Sequence, residues 1–160
     1  ETLYVPKIQQ VKTLRIQSLR GEGKMSKTNP AGAIFLTDNP NGIATKIKKA
    51  ETAVAGQMSP ALESHITLAK GLAQRPEDKA KVDEIITAHM QGQQVMDEFK
   101  RLLTSITQEF VTTFQAKRTE VVSDPSYIPS ILARGAEKAR NNAEETLNKV
   151  YDALTRVKVT

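Results

Sequence analysis

Signals for helix starts are the feature that most constrains how this chain folds. An N-capping residue followed by proline precedes segments with helical spacing at Asn39-Pro40, Ser59-Pro60 and Asp124-Pro125. The capping side chain accepts a hydrogen bond from a first-turn N–H, and proline fits the first helical position, where no N–H is needed. With Pro76 opening a further, charged helix, these signals predict a succession of helices from Asn39 onward.

Within these segments, apolar residues recur at spacings of three and four, which is typical of helices with one buried face. The first three helices are predicted to bury Ile43, Ile47 and Ala50, then Leu62, Ile66, Ala69 and Leu72, then Val82, Ile85, Ile86 and Met90. A long helix over about Gln93 to Val122 would bury Val95, Phe99, Leu102, Leu103, Ile106, Phe110 and Phe114. A short helix would bury Ile128, Ile131 and Leu132, and Gly135 either breaks it or is absorbed. The last helix would bury Ala136, Ala139, Ala143, Leu147, Val150 and Leu154.

The composition supports a mainly α fold, a helical bundle. Aromatic residues make up only 4% of the chain and Trp is absent, so Leu, Ile, Val and Ala must form the core, which suits packed helices better than a β-sandwich. The absence of Cys excludes disulfides, thiolate metal sites and a Cys nucleophile, and it fits a cytoplasmic location. No apolar run approaches roughly 18 residues, so no membrane span is predicted.

Residues 1–37 follow a different pattern, with short apolar runs separated by Gly, Pro and Asn. We predict a short strand or extended segment, a loop across Arg20–Pro30 and a return toward Leu36. Such a segment cannot bury its apolar runs alone, and the chain does not begin with Met. We therefore expect it to belong to a longer protein with a missing N-terminal part.

Positive charge is concentrated in the first third of the chain. Residues 1–50 contain nine Lys or Arg and three Asp or Glu, whereas residues 51–160 contain fourteen Lys or Arg and fifteen Asp or Glu. The net charge of the whole chain is +5. This imbalance indicates a polyanion partner, although chance clustering of surface lysines explains it about as well. For Lys46, Lys48 and Lys49 an ordinary polar helix face is favoured over an RNA contact.

The stretch Gly21–Pro30 is the part of the sequence that indicates chemistry. Gly21 and Gly23 let the chain bend and bring its backbone close to a ligand. Lys24 and Lys27 stand three residues apart, with one hydroxyl side chain between them and another directly after. A departing phosphate requires such a group of flexible cations and neutral donors as negative charge builds on it.

The residues Lys24–Thr28, KMSKT, resemble the KMSKS signature loop of class I aminoacyl-tRNA synthetases. Further segments are similar to the tryptophanyl-tRNA synthetases in chain order: Arg15–Leu19, Ile34–Pro40, Ser123–Tyr127, Ile131-Leu132, Gly135–Arg140 and Ala143–Val150. The match covers most of the chain, with a divergent middle at about residues 56–95. Tyrosyl-tRNA synthetases share the loop and broad architecture, and the GAEKAR segment at Gly135–Arg140 is what favours tryptophan.

This resemblance implies a tryptophan–tRNA ligase, in which the tryptophan carboxylate attacks the α-phosphorus of ATP, pyrophosphate leaves, and the adenylate esterifies tRNA(Trp). Residues 1–38 would be the C-terminal remnant of the catalytic nucleotide-binding domain, and residues 39–160 the helical anticodon-binding domain. Mg²⁺ would arrive with ATP, so no protein ligand for a metal is expected. Family members are homodimers whose main contacts would lie outside this chain, which alone would be monomeric.

The same resemblance assigns roles to single residues of the loop. Lys24 and Lys27 would hold the β- and γ-phosphates and stabilise charge on the departing pyrophosphate. Ser26 and Thr28 would donate hydrogen bonds to phosphate oxygens or order the loop. Met25 would anchor the loop against apolar surface.

Outside the loop, Ile16 matches a position that lines the adenine pocket through backbone contacts. Two departures from the family pattern occur: Thr28 replaces Ser but keeps the hydroxyl, and Asn29 replaces Asp and so removes a negative charge. The HIGH signature and the tryptophan pocket are outside this chain, so the chain alone is expected to be inactive. Three cations near Gly135 would meet a tRNA backbone or serve as surface or capping groups: Arg134, Lys138 and Arg140.

Two alternatives stay open: a non-catalytic synthetase-like helical module that binds RNA or protein, and the tyrosyl relative. His65 and His89 lack a second ligand at metal spacing, so core-edge or surface roles are favoured over metal ligation. Phe99, Phe110 and Phe114 share their stripe with leucines, so a core role is favoured over a base-stacking platform.

Overall fold

The computed structural model describes residues 16–21 and 23–155. These residues form a 3₁₀ turn at Pro30–Gly32 and the helices α1 (Pro40–Lys48), α2 (Pro60–Leu72), α3 (Pro76–Met90), α4 (Met96–Ser123) and α5 (Tyr127–Thr155). The predicted mainly α fold is confirmed. Extended pairing within the described residues is limited to one antiparallel bridge, between Gln17 and Lys24. The strand predicted near the N-terminus lies outside the described residues.

The predicted starts of the first three helices are confirmed. Asn39 Oδ1 accepts a hydrogen bond from the Gly42 amide at 2.7 Å, and Ser59 Oγ accepts one from the Leu62 amide at 3.1 Å. Each cap satisfies an amide that a helix start leaves without an intrahelical partner. The third helix begins at Pro76 without a side-chain cap.

The chain divides into two compact units, the larger covering Gln10–Lys117 and the smaller containing the chain from Arg118 onward. The core of the larger unit draws on α1 to α4 and on the segment before them. Its largest fully buried apolar side chains are Leu19, Ile43, Ile47, Val82, Phe99 and Leu103. Burial of the Leu19 side chain contributes about 2 kcal/mol of transfer free energy, which attaches the segment before α1 to the helices. The functional division predicted after residue 38 stays a prediction.

Some predicted burials are wrong. Met90 is 46% exposed at the end of α3, and Phe114 is 39% exposed on α4. Helix α5 is one continuous helix that absorbs Gly135, and it contains no buried residue. The exposed members of its predicted stripe are Ile128, Ile131, Leu132, Ala136, Ala139, Ala143, Leu147 and Leu154, and Val150 is half-buried. Helical periodicity identifies an apolar face, but it does not show that another element of the same chain covers that face.

Among the helices that the structure describes, none combines the length and the apolar character that crossing a bilayer needs.

Candidate phosphate-binding loop

A short antiparallel stem positions the segment that contains both predicted phosphate-binding lysines. Gln17 and Lys24 form an antiparallel bridge, and the Met25 amide donates a hydrogen bond to the Ile16 carbonyl at 2.9 Å. These contacts pair residues 16–17 with residues 24–25 and close the turn between them, and Lys27 lies directly beyond this stem. We name residues 20–28 the lysine loop.

Two glycines turn the chain at the end of this stem. Gly21 has a φ of 78° and Gly23 a φ of 65°, a left-handed region that side chains disfavour. Ser18 closes the turn, because its amide donates to the Gly23 carbonyl at 3.0 Å and its carbonyl accepts the Gly21 amide at 2.9 Å. A Cβ at Gly21 would also clash with the Glu51 carboxylate. The bend inferred from the sequence at these glycines therefore occurs.

Leu19 attaches the base of the lysine loop to the helical core. Its side chain is fully buried. Its amide donates to the Gly32 carbonyl at 2.9 Å, and its carbonyl accepts the Glu51 amide at 2.7 Å. Since the side chain and both backbone groups of Leu19 are engaged, the lysine loop extends from a fixed base.

The side chains predicted to contact phosphate lie together on the lysine loop. Lys24 and Lys27 are both exposed. Neither forms an ion pair with any carboxylate of the described residues. Ser26 Oγ and Thr28 Oγ1 lie 3.0 Å apart and share a hydrogen bond. The loop thus presents two cations and two hydroxyl groups that an anionic ligand can reach.

Met25 and Ile16 lie where the stem meets the helices. The half-buried Met25 side chain packs against the hydrophobic core, which is the geometry that an anchoring role requires. Ile16 is half-buried, and its carbonyl accepts the Met25 amide. The backbone through which an adenine contact is predicted is therefore part of the stem. Both functional assignments stay predictions.

Side chains that sequence reasoning missed fix the segment between the lysine loop and α1. Asp38 Oδ2 accepts hydrogen bonds from the Phe35 amide at 2.9 Å and from Lys46 Nζ at 2.6 Å. The same ammonium lies 4.7 Å from the centre of the Phe35 ring. Gln115 Nε2 donates to the carbonyls of Leu36 and Asp38. Lys46 is therefore bound within this segment, and its spacing of eight residues from Asp38 matches no helical pairing rule.

The two histidines are buried in the larger unit. His89 Nε2 lies 2.9 Å from the Gln57 carbonyl, whereas His65 Nε2 is buried without a hydrogen-bond partner. Burial and, to a smaller extent, the positive charge of Lys100 together lower the pKa of His65 to about 4. In the part of the chain that the structure describes, no three His, Asp or Glu side chains are arranged to hold a metal ion.

Other basic residues singled out from the sequence are exposed. They are Lys48 at the end of α1, Lys49 directly after it, and Arg134, Lys138 and Arg140 on α5. Their exposure permits a contact with RNA and permits a purely solvated role as well.

Comparison with known proteins decides the family. The family described as tRNA synthetases class I (W and Y) matches residues 2–123 of this chain. The chain belongs to this family. The resemblance of the sequence to tryptophanyl-tRNA synthetases is thereby confirmed, because the relatives and the solved structure that follow carry that name.

Among members of this synthetase family, the tryptophan–tRNA ligase of Agrobacterium fabrum is 34% identical over 155 residues, which cover 88% of this chain and 41% of that protein. Tryptophan–tRNA ligase 2 of Streptomyces avermitilis is 34% identical over 166 residues, which cover 96% of this chain and 47% of that protein. The crystal structure of tryptophanyl-tRNA synthetase from Mycoplasma pneumoniae matches with a TM-score of 0.71 and 26% identity, covering 92% of this chain and 45% of that one. The chain thus spans less than half the length of these relatives.

Replacing Gly32 by Ala is expected to destabilise the base of the lysine loop. Gly32 is buried, and an added Cβ would clash with Ser18 Oγ and lie 3.3 Å from Ser18 Cβ. Ser18 is fully buried and its Oγ accepts the Arg20 amide at 3.2 Å, so moving it breaks that bond. We expect Gly32→Ala to lower the free energy of unfolding by about 1–3 kcal/mol, measured by urea denaturation.

Gly42→Ala is the matched control for this substitution. A Cβ at Gly42 would meet only the Asn39 side chain, at 3.4 Å or more, and alanine favours a helix such as α1. We expect no loss of stability in this variant. Equal losses in the two variants would show that the packing of Gly32 against Ser18 is not what limits the position.

Proposed function

We propose that this chain is part of a tryptophan–tRNA ligase, in which the lysine loop stabilises pyrophosphate as it leaves ATP. The observation that supports this most directly is the placement of Lys24 and Lys27. Both are exposed and have no carboxylate partner among the described residues, on a loop whose base is fixed to the core through Leu19. Family membership and the names of the relatives point to the same reaction.

In the proposed reaction, a carboxylate oxygen of tryptophan forms a bond to the α-phosphorus of ATP. The bond between that phosphorus and the bridging oxygen breaks, and the electron pair leaves with pyrophosphate, to which Mg²⁺ remains bound as part of the substrate. Lys24 and Lys27 place two ammonium groups against the β- and γ-phosphates, where this charge builds. Ser26 and Thr28 donate hydrogen bonds to phosphate oxygens or order the loop.

The stem residues complete the nucleotide contacts in this proposal. Met25 anchors the loop against the core, and the backbone of Ile16 lines the adenine pocket. Because its cationic side chains are exposed, the lysine loop is the segment that closes on the nucleotide in this proposal.

The second step transfers the tryptophanyl group from the adenylate to tRNA(Trp). We propose that the helices from residue 39 onward face the anticodon side of this tRNA. The whole ligase acts as a cytoplasmic homodimer and supplies the tryptophan pocket from outside this chain. The chain alone is monomeric and inactive.

Amino-acid-dependent exchange of pyrophosphate into ATP tests the proposal. The longest natural form of the protein is expected to catalyse exchange with tryptophan, and exchange with tyrosine should be undetectable at the same concentration. Exchange with tyrosine in place of tryptophan would move the protein to the tyrosyl branch of the family. Absence of exchange with either amino acid would contradict a ligase and support a helical binding module.

A further inference from the structure

Ser64 holds the stem of the lysine loop from outside it. Its Oγ accepts a hydrogen bond from the Gln17 amide at 2.7 Å, although the two residues are 47 positions apart. Gln17 is the residue that bridges to Lys24, so this bond fixes the backbone segment that pairs with the first lysine. Ser64 is only 8% exposed on α2, and this bond adds nothing to the helix that carries it.

Lys100 holds the other side of the same base. Its Nζ lies 2.7 Å from the Ala50 carbonyl and 2.6 Å from Thr52 Oγ1, and a third acceptor is a carbonyl at the end of α1 at 3.3 Å. Glu51, between these two residues, donates its amide to the Leu19 carbonyl at 2.7 Å. An ammonium that binds both neighbours of Glu51 fixes the direction of that amide.

We propose that Ser64 and Lys100 are positioning residues, which hold the base of the lysine loop so that Lys24 and Lys27 meet the triphosphate of ATP. This inference rests on the proposed function. Three features support it. The Ser64 hydroxyl is buried, and Lys100 binds three acceptors outside its own helix. The two sets of contacts hold Gln17 and Leu19, which are neighbours of Ser18 in sequence.

Hydrogen exchange measured on this chain tests the anchoring without any catalysis. Ser64→Ala removes the acceptor, so exchange of the Gln17 amide should accelerate about tenfold. Ser64→Thr keeps the hydroxyl and should retain slow exchange. The matched control is Ser105→Ala, an exposed serine of α4, which should leave the Gln17 amide unchanged. Equal exchange rates in all three variants would overturn the anchoring role.

Lys100→Met tests the second anchor in the same experiment. Loss of the ammonium should accelerate exchange of the Glu51 amide about tenfold. The reason is that the Ala50 carbonyl and the Thr52 hydroxyl, on either side of Glu51, lose the donor that both of them contact. Exchange of the Gln17 amide should change less, since Ser64 holds it separately. Unchanged exchange at Glu51 would remove Lys100 from the proposal.

Kinetics of the longest natural form then separate positioning from simple stabilisation. Rates of tryptophan-dependent exchange are divided by the concentration of active sites. Ser64→Ala and Lys100→Met should then lower kcat/KM for ATP about tenfold and leave the KM for tryptophan unchanged. Ser64→Thr should recover most of the loss. A lower melting temperature with unchanged kcat/KM for ATP would show a structural role only and overturn the inference.

Lys27→Ala in the same assay distinguishes failure of this inference from failure of the proposed function. If Lys27→Ala loses exchange while Ser64→Ala and Lys100→Met keep it, the positioning inference is wrong and the proposed function stands. If none of the three variants loses exchange, the proposed role of the lysine loop in this reaction is wrong, and the positioning inference falls with it.

Discussion

Replacing Lys27 by Ala in the longest natural form of the protein is expected to slow tryptophan-dependent pyrophosphate exchange by about a hundredfold or more. Removal of one preorganised donor from a developing charge typically costs about 2.7–4 kcal/mol of transition-state stabilisation. The exposed ammonium of Lys27 has no carboxylate partner among the described residues to compete for it. The KM for tryptophan should change little, because the lysine loop is proposed to contact the phosphates of ATP and not the amino acid.

Lys79→Ala provides the control for this experiment. Lys79 is an exposed lysine on α3, so its removal changes the net charge by the same amount at a position that the proposal does not use. It should retain the wild-type rate. A Lys27→Ala enzyme that stays within about threefold of wild type would be incompatible with a phosphate contact in the transition state.

Acidification is expected to destabilise the larger unit through His65. Burial, with the charge of Lys100, lowers the pKa of His65 from 6.5 to about 4 in the folded protein. Between these two pH values the unfolded chain binds more protons, so stability falls as pH is lowered through 6.5 and the loss is complete below about pH 4. These values give a loss of about 2 kcal/mol at pH 5 from this group.

His65→Leu isolates this contribution from that of every other titrating group. Leucine has a similar volume, and His65 Nε2 has no hydrogen-bond partner to lose. Urea unfolding of both proteins at pH 7.5 and pH 5 should show the leucine variant gaining about 2 kcal/mol relative to wild type at the lower pH. The same difference in stability at both pH values would show that His65 titrates normally.

The helical framework could be predicted because its signals are local. A cap and a proline determine where α1 and α2 begin, and both groups lie within one turn of each other. The buried face of α4 also follows from spacing, since Phe99, Leu103 and Ile106 repeat every three or four residues. The exposure of α5 could not be predicted, because burial depends on what packs against a helix and not on its own periodicity.

The candidate site divides in the same way. The cations and glycines of the lysine loop are contiguous in sequence, so their proximity follows directly. The positions of Ser64 and Lys100 could not be predicted, because their hydrogen bonds join residues that are far apart in sequence. A serine within a helix, or a lysine on one, carries no sign of the distant backbone group that it binds, so only the three-dimensional structure identifies them.

The attachment of Met25 to the stem and the core limits how far Lys27 can move. The Met25 amide is hydrogen-bonded to the Ile16 carbonyl and the Met25 side chain packs against the core, so Lys27 is only two residues from a fixed point. A flexible tether of that length spans about 8 Å, so the Lys27 backbone explores a small volume. Confinement of this kind raises the effective concentration of the ammonium near a bound nucleotide and reduces the entropy lost when the two meet.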